Sequence, residues 1–297
     1  MSGIDAHCHI WALDRGDYGW IDRGNPALTA IAQDFGTPEL TARLGQAAIT
    51  RAIVVQAAPT EDETRWLLDQ ARNCDAVAGI VGWADLTQPD IGARLQALAA
   101  NGALRGIRPM LQDIEQDDWL LTAPQDGWVP AMREHDLRFD ALVLPQHLAM
   151  LLSFCNRHPD LPVVIDHAAK PALSAAPDDP RHNMWRSGMQ HLARDTAAFC
   201  KISGLLTEMA PAQLPDARDI LFPLMDDLLD WFGAERLMWG SDWPVLRLAG
   251  SYDGWHALFH DWLTRLPAAD CAQISGQTAA RFYGLEGAGR EASPGNA

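Results

Sequence analysis

Two histidines near the start of the chain have a spacing that could support chemistry. His7 and His9 flank Cys8 in the segment IDAHCHIW. In an extended strand, residues two apart project from the same face, so the two imidazoles point one way and Cys8 the other. Converging imidazoles are typical of a metal site or of a pair that stabilises charge. The alternative is a pair of histidines that only form hydrogen bonds in the core.

A third histidine and an aspartate follow other apolar runs. His167 lies in VVIDHAAKP, and Asp242 lies in LMWGSDWPV. A carboxylate in an apolar pocket has a raised pKa and can act as a general base, and we expect this of Asp242. The alternative is an aspartate that caps a turn or a helix. Asp166, next to His167, is expected to face the opposite way and to be structural.

These side chains need elements that bring them together. Short apolar runs such as AIVVQ and PVVIDH alternate with amphipathic stretches, which is typical of parallel strands covered on both faces. Predicted strands cover Gly3–His9, Thr50–Gln56, Val77–Asp85, Leu104–Met110, Leu137–Leu144, Pro162–Ala168, Phe199–Leu205 and Arg236–Pro244. Predicted helices include Glu61–Cys74, Gln88–Asn101, Gln146–His158 and Asp216–Phe232. Strand–helix units of about 30 residues imply βαβ crossovers.

Eight such units predict an α/β fold, a single (β/α)8 TIM barrel over residues 1–285. A long loop, Ala12–Phe35, follows the first strand and is expected to cover the barrel mouth. Residues 286–297 are predicted to be a disordered tail. The runner-up, an open doubly wound sheet, lacks its glycine fingerprint, because HCHIW follows the first strand.

A barrel collects functional side chains at the carboxyl ends of its strands. The polar residues predicted there are His7, His9, Gln56, Asp85, Arg108, Gln146, His147, Asp166, His167, Ser203, Ser241 and Asp242. The alternative is that these residues are polar only because strands end in polar loops. That explanation accounts for Gln56 or Asp85 more easily than for two histidines in one strand.

Charge and cysteine content limit the partners. The chain has 23 basic and 39 acidic residues, a net charge of −16, which disfavours nucleic acid and anionic membranes. Five cysteines without a CxxC pair argue against a disulfide framework and favour a cytoplasmic protein. Because the first residues have neither a basic start nor an apolar run, we expect no secretory signal peptide. A small-molecule substrate is expected, with the protein a monomer or a homodimer.

Aromatic residues suggest what kind of small molecule. Of the 12 tryptophans, five are predicted at or near the mouth, namely Trp11, Trp20, Trp83, Trp239 and Trp243, and we single out Trp11 and Trp20. A flat apolar ring suits the C–H face of a sugar, so both are candidate substrate-binding residues. The alternative is that they pack the core.

Five segments occur in an order that carries a family resemblance. They are IDAHCHIW, GIRP at Gly106–Pro109, FDALVLPQHL at Phe139–Leu148, VVIDHAAKP at Val163–Pro171 and ERLMWGSDWP at Glu235–Pro244. The chain resembles the amidohydrolase superfamily, and within it the TIM-barrel hydrolases that include sugar-acid lactonases. The resemblance extends from residue 1 to about residue 285.

The resemblance implies roles for single residues. It makes Asp242 the group that activates the attacking water, and it makes Arg108 and His147 part of the substrate pocket. It also implies that His7, His9, His167 and Asp242 hold at most one divalent ion, zinc or manganese. Two-metal members use a bridging lysine on strand 4 or 5, and neither predicted strand contains lysine. Some similar enzymes work without metal, which leaves occupancy open.

The predicted function is therefore hydrolysis of a sugar-acid lactone, such as L-fuconolactone or a related deoxy-sugar lactone. Asp242 is the expected base, and the three histidines would polarise the carbonyl directly or through one metal ion. A neutral lactone is favoured over a dianionic pyrone, because Arg108 is the one arginine assigned to a strand end. The alternatives are a zinc-dependent decarboxylase and, less favoured, a non-catalytic binding barrel. A serine nucleophile is unsupported, because no GxSxG segment occurs.

Overall fold

Eight parallel strands form one sheet in the computed structural model, which describes residues 3–285. Neighbours in the sheet are neighbours in sequence, from β1 to β8, as in a TIM barrel. The strands are β1 Gly3–Cys8, β2 Ile49–Val55, β3 Val77–Gly82, β4 Leu104–Ile107, β5 Arg138–Ala141, β6 Val163–Ile165, β7 Phe199–Ile202 and β8 Leu237–Trp239. All eight predicted strands are confirmed. The tail predicted at 286–297 lies outside the described residues.

Helices follow the strands around the barrel. They are α1 Thr37–Gln46, α2 Glu61–Ala71, α3 Ile91–Ala99, α4 Trp119–Thr122, α5 Trp128–Glu134, α6 Leu148–Arg157, α7 Pro180–Asp195, α8 Ala217–Phe232, α9 Tyr252–Leu263, α10 Ala268–Ala272 and α11 Thr278–Phe282. The four helices named from the sequence correspond to α2, α3, α6 and α8. Among residues 3–285, no helix is both long and apolar enough to span a bilayer.

The strands bury both faces, as their continuous apolar runs predict. In β2, Ile53 and Val55 belong to an apolar cluster that also contains Phe282 of α11 and the adjoining Tyr283. Val54 belongs instead to the larger cluster shared with the helices. Alternate residues therefore fill the barrel interior and the helix layer, and the C-terminal segment closes the interior from one end.

The barrel closes where β8 meets β1. The backbone N–H of Asp242 donates to the carbonyl of His7 (2.8 Å), and the N–H of His9 donates to the carbonyl of Trp243 (2.7 Å). Strand β1 pairs irregularly with β2 between Asp5 and Cys8. Such an irregularity redirects side chains. The seam that closes the barrel thus also sets the positions of the candidate catalytic residues.

The predicted mouth loop is present between β1 and α1. Trp11 and Phe35 join its ends through two reciprocal backbone hydrogen bonds of 2.9 Å. Its middle contains two short 3-10 turns, Leu13–Arg15 and Pro26–Leu28. The indole N–H of Trp20 donates to the carbonyl of Ala57 (2.8 Å), which ties the loop to the end of β2.

The buried carboxylate of Asp5 stabilises the junction between β8 and β1. Asp5 is fully buried and accepts hydrogen bonds from the backbone N–H groups of His7 (3.2 Å) and Ser241 (2.9 Å). Its other oxygen accepts from the Tyr252 hydroxyl (3.0 Å). Burial raises the pKa of Asp5 to about 6, although these hydrogen bonds act in the opposite direction. The carboxylate connects β1, the residues after β8 and α9.

Replacing Asp5 should destabilise the fold strongly. Asp5→Ala leaves three buried donors without their acceptor, and each such donor costs about 1–3 kcal/mol. We expect urea unfolding to give a loss of about 3 kcal/mol or more in the free energy of unfolding. The exposed Asp75→Ala is the matched control and should change it by about 0.5 kcal/mol or less. Equal effects of the two substitutions would contradict this role for Asp5.

Candidate active site

Three imidazoles surround one carboxylate inside the barrel mouth. Oδ1 of Asp242 lies 3.2 Å from Nε2 of His9. The same oxygen lies 3.9 Å from Nε2 of His7 and 3.9 Å from Nε2 of His167. All four side chains are buried. The structure therefore brings together the four residues that the sequence singled out, although they come from three distant segments.

Left-handed backbone at the strand ends aims two of these side chains. Asp242 has φ +57°, and His167 has φ +52°. Aspartate and histidine adopt this region more readily than most residues. After β6 the left-handed conformation continues through Lys170, so the strand alternation ends at Ile165. The expectation that Asp166 faces away from His167 was wrong, because both enter the site where the chain leaves the strand.

The electrostatics of Asp242 also differ from the expectation. Burial acts to raise the pKa of its carboxyl, but nearby His167 and the hydrogen bond with His9 outweigh burial and hold the pKa below its usual value. The predicted raised pKa was therefore wrong. The sequence analysis counted the apolar surroundings and left out the imidazoles. Asp242 is ionised at neutral pH and ready to accept a proton.

Burial disfavours the charged form of His7 and His167. Burial lowers the pKa of His167 to about 4, against the attraction of Asp242. Burial also lowers the pKa of His7, and Lys201 lowers it further. A neutral imidazole has one N–H donor and one lone pair. Each ring can therefore act as a ligand or as a donor, depending on which nitrogen holds the proton.

Both ring nitrogens of His9 face oxygen acceptors. Nδ1 lies 2.8 Å from the carbonyl oxygen of Val55, so this nitrogen donates. Nε2 faces Oδ1 of Asp242 at 3.2 Å. Two acceptors at this distance need a proton or a cation between them.

This donor set fits a divalent metal ion. Zinc with four ligands at about 2.0–2.1 Å separates neighbouring ligand atoms by about 3.3 Å, close to the 3.2 Å between His9 and Asp242. Nitrogens of His7 and His9 and an oxygen of Asp242 lie within 4.8 Å of one another. A second cluster, which uses Asp166, already has the Lys201 ammonium 2.9 Å from that carboxylate.

A cavity of about 300 Å³ opens onto His9, His167 and Asp242. Arg108 and Trp20 line it, as the sequence predicted. Polar residues that sequence reasoning missed also line it, namely Gln112, Asp113, Lys170 and Thr207. The apolar part of the wall is formed by Ala57, Met110, Leu142 and Val245. The cavity has the mixed polar and apolar lining of a small-molecule site.

Two predicted pocket residues lie away from this cavity. His147 is buried, and its Nδ1 accepts from the backbone N–H of Leu144 (3.1 Å). Its Nε2 lies 3.2 Å from the carboxylate of Asp117. Trp11 is also buried and packs edge-on against Trp20, with 5.8 Å between ring centroids. Trp11 supports Trp20 and does not line the cavity, and neither does His147.

Two charged residues beneath the site, Lys201 and Asp140, were not identified from the sequence as part of it. Lys201 of β7 is fully buried, with Nζ 2.5 Å from Asp140 and 2.9 Å from Asp166. Burial raises the pKa of Asp140 to about 6, against the effect of Lys201. For Asp166, Lys201 and His7 outweigh burial and lower the pKa. The available signal was a lysine within the apolar strand FCKI, in a chain with two lysines.

Comparisons with known proteins agree with this geometry. The amidohydrolase family model matches residues 4–285. The chain is 42% identical over 287 residues to L-fucono-1,5-lactonase of Burkholderia ambifaria, covering 95% of this chain and 96% of that protein. It is 37% identical to L-fucono-1,5-lactonase of Burkholderia multivorans, covering 95% and 96%. A zinc-bound amidohydrolase structure from Burkholderia multivorans superimposes with a TM-score of 0.83, at 34% identity, covering 96% and 99%.

A glycine beside the site should not tolerate a side chain. Gly204 has φ +63°, and a Cβ there would lie 2.5 Å from Nδ1 of His167 and 3.2 Å from Oδ2 of Asp242. We expect Gly204→Ala to lower the free energy of unfolding by about 1–3 kcal/mol, measured with urea. Gly45→Ala meets nothing within 4 Å and should leave stability unchanged or higher. A Gly204→Ala protein as stable as wild type would contradict this packing.

Proposed function

We infer that this chain, which belongs to the amidohydrolase family, hydrolyses a sugar-acid lactone. The observation that supports this most strongly is an ionised Asp242 among three imidazoles at the base of a sugar-sized cavity. Two relatives named L-fucono-1,5-lactonase, each aligned over nearly their whole length, favour L-fucono-1,5-lactone or a similar deoxy-sugar lactone as substrate.

Asp242 is proposed as the general base. It takes a proton from water, and the resulting hydroxide oxygen attacks the lactone carbonyl carbon to form a tetrahedral intermediate. The bond between that carbon and the ring oxygen then breaks. Asp242 returns its proton to the ring oxygen, which gives the open-chain hydroxy acid. The pair of proton transfers leaves Asp242 ionised for the next turnover.

The charge that develops on the carbonyl oxygen needs donors. Arg108 lines the cavity, and its Nη1 lies 3.4 Å from Nε2 of His7. We propose that this guanidinium and the imidazoles stabilise the oxyanion, because preorganised donors in a water-poor site are worth more than in bulk water. Arg108 itself is held by a hydrogen bond from Nη2 to the carbonyl of Gln56.

One divalent ion, zinc or manganese, is proposed to bind His7, His9, His167 and Asp242. When bound, such an ion supplies Lewis acidity and lowers the pKa of a bound water. The 3.2 Å between Nε2 of His9 and Oδ1 of Asp242 supports this assignment, and so does the zinc-bound relative.

The charge balance of the cavity favours a neutral substrate. Arg108 lies 3.4 Å from Asp166, and Lys170 lies 3.6 Å from Glu208, so both cations already have carboxylate partners. A dianionic pyrone or the acid substrate of a decarboxylase would compete with those carboxylates. Oε1 of Gln112 is buried without a partner and is a ready acceptor for a substrate hydroxyl. We therefore keep lactone hydrolysis over decarboxylation.

Removing the base should slow turnover strongly without changing the shape of the site. We expect Asp242→Asn to lower kcat for L-fucono-1,5-lactone by about 10²–10⁴, measured as acid release. Asp113→Asn is the matched control, because Asp113 lines the same cavity and lies outside the cluster that Asp242 forms with the three imidazoles. It should alter KM more than kcat. An Asp242→Asn enzyme with the wild-type kcat would exclude Asp242 as the base.

Metal content gives an independent test. After exhaustive chelation, we expect zinc titration against a chromogenic chelator to saturate at about one ion per chain. Asp242→Asn should weaken that binding by about 10-fold or more, because it removes the anionic ligand, and Asp113→Asn should not. Comparing lactone hydrolysis by the chelated and reloaded enzyme then decides whether the ion is required. Zinc binding that is insensitive to Asp242→Asn would rule out this ligand set.

A further inference from the structure

A buried carboxylate of α2 lies behind the cavity wall and has no part in the proposed reaction. Glu63 is in the first turn of α2 and is fully buried. Its oxygens accept from the backbone N–H of Ala57 (2.9 and 3.1 Å) and from that of Ala58 (2.8 Å). Burying a carboxylate is costly unless it is hydrogen-bonded, and these two N–H groups offset that cost.

Helix capping does not explain these contacts. Residues 60–63 have the sequence pattern of a capping box, in which the glutamate side chain accepts from the N–H of the capping threonine. The Thr60 hydroxyl does accept from the N–H of Glu63 (3.1 Å), but the N–H of Thr60 donates to the carbonyl of Ala58 (2.9 Å). The Glu63 carboxylate therefore reaches past the helix cap and holds the chain directly after β2.

The two N–H groups belong to peptide units whose carbonyls hold cavity-lining side chains. In a planar trans peptide unit, the N–H and the C=O point in opposite directions. The unit that donates through Ala58 has the carbonyl of Ala57, which accepts from the indole N–H of Trp20 (2.8 Å). The unit that donates through Ala57 has the carbonyl of Gln56, which accepts from Nη2 of Arg108. One carboxylate and two cavity-lining side chains thus contact the same peptide units from opposite sides.

We propose that Glu63 is a positioning residue that fixes Trp20 and Arg108 through these two peptide units. A charged acceptor on the N–H side polarises each unit and strengthens its carbonyl as an acceptor on the other side. Hydrogen bonds of this kind lock the side chains that contact a substrate. The kinetic consequence rests on the proposed lactone hydrolysis, whereas the positions of the two side chains do not.

The two side chains contribute to the proposed reaction in different ways. The ring of Trp20 contacts the bound sugar, so misplacing it weakens binding and raises KM. Arg108 stabilises charge that develops in the transition state, so misplacing it lowers kcat. A displacement of about 1 Å can cost up to about 100-fold in rate.

The test uses Glu63→Gln, which keeps the size of the side chain but turns one acceptor oxygen into an NH2 group that faces an N–H donor. Glu39→Gln is the matched control, because Glu39 accepts from the N–H of Gly36 (3.0 Å) in the same way at the start of α1. Burial raises the pKa of Glu63 to about 7, against the N–H donors of Ala57 and Ala58. All measurements are therefore made at pH 8, where most of this carboxyl is ionised.

The first readout needs no lactone. The indole N–H of Trp20 is identified in a nitrogen–proton correlation spectrum by its loss in Trp20→Phe. We expect slow exchange with water in wild type and in Glu39→Gln, and about 10-fold faster exchange in Glu63→Gln. A wild-type indole N–H that exchanges as fast as that of free tryptophan overturns the proposal without any variant. Unchanged exchange in folded Glu63→Gln overturns it as well.

The second readout is hydrolysis of L-fucono-1,5-lactone by Glu63→Gln, alone and combined with Trp20→Phe. We expect Glu63→Gln alone to raise KM and to lower kcat, with kcat/KM falling about 10-fold or more. In the Trp20→Phe background it should lower kcat only, because the contact through the indole N–H is already lost. An equal rise of KM in both backgrounds, or a wild-type kcat in Glu63→Gln, overturns the proposal. If the wild type hydrolyses no lactone, the proposed function fails, and the indole readout still decides whether Glu63 positions Trp20.

Discussion

The site depends on the hydrogen bonds that close the barrel. The N–H of Asp242 donates to the carbonyl of His7 at 2.8 Å, which joins the end of β8 to β1. The same bond holds the Asp242 carboxylate beside the imidazoles, because the two residues meet across the seam. Asp5 supports this seam with three accepted hydrogen bonds. The hydrogen bonds that close the barrel therefore also hold the site together.

The surrounding charges then set the protonation state of the Asp242 carboxyl. A lone carboxylate at this depth would tend to be protonated, because burial disfavours charge. Three imidazoles reverse that tendency for Asp242. Below them, Lys201 offsets two buried carboxylates that would otherwise repel each other. Apolar side chains thus fill one end of the barrel interior, and paired charged side chains lie beneath the mouth at the other end.

Local patterns in the sequence were sufficient for the fold, because strand and helix periodicity depends on neighbours in the chain. The same is true of His7 and His9, whose spacing sets a common face. Asp166 was assigned wrongly because left-handed backbone after Ile165 overrides strand alternation. The lowered pKa of Asp242 and the pairing of Lys201 with two buried carboxylates depend on contacts between residues far apart in the chain. A single sequence does not reveal such contacts.

Only some of the residues predicted to bind substrate line the cavity, again because their positions depend on contacts with distant parts of the chain. Arg108 and Trp20 reach the cavity because a strand end and an anchored loop direct them there. His147 lies beyond the end of β5, in the 3-10 turn Pro145–His147, and its ring pairs with Asp117 and with the backbone of Leu144.

The central claim is that Asp242 activates water and does not itself attack the lactone. A single turnover in water labelled with heavy oxygen, with enzyme in excess, tests this most directly. The account predicts the label in the carboxylate of the hydroxy acid and none in Asp242, as read by mass spectrometry of the product and of the peptide. Label in Asp242, with unlabelled product from the first turnover, would contradict it.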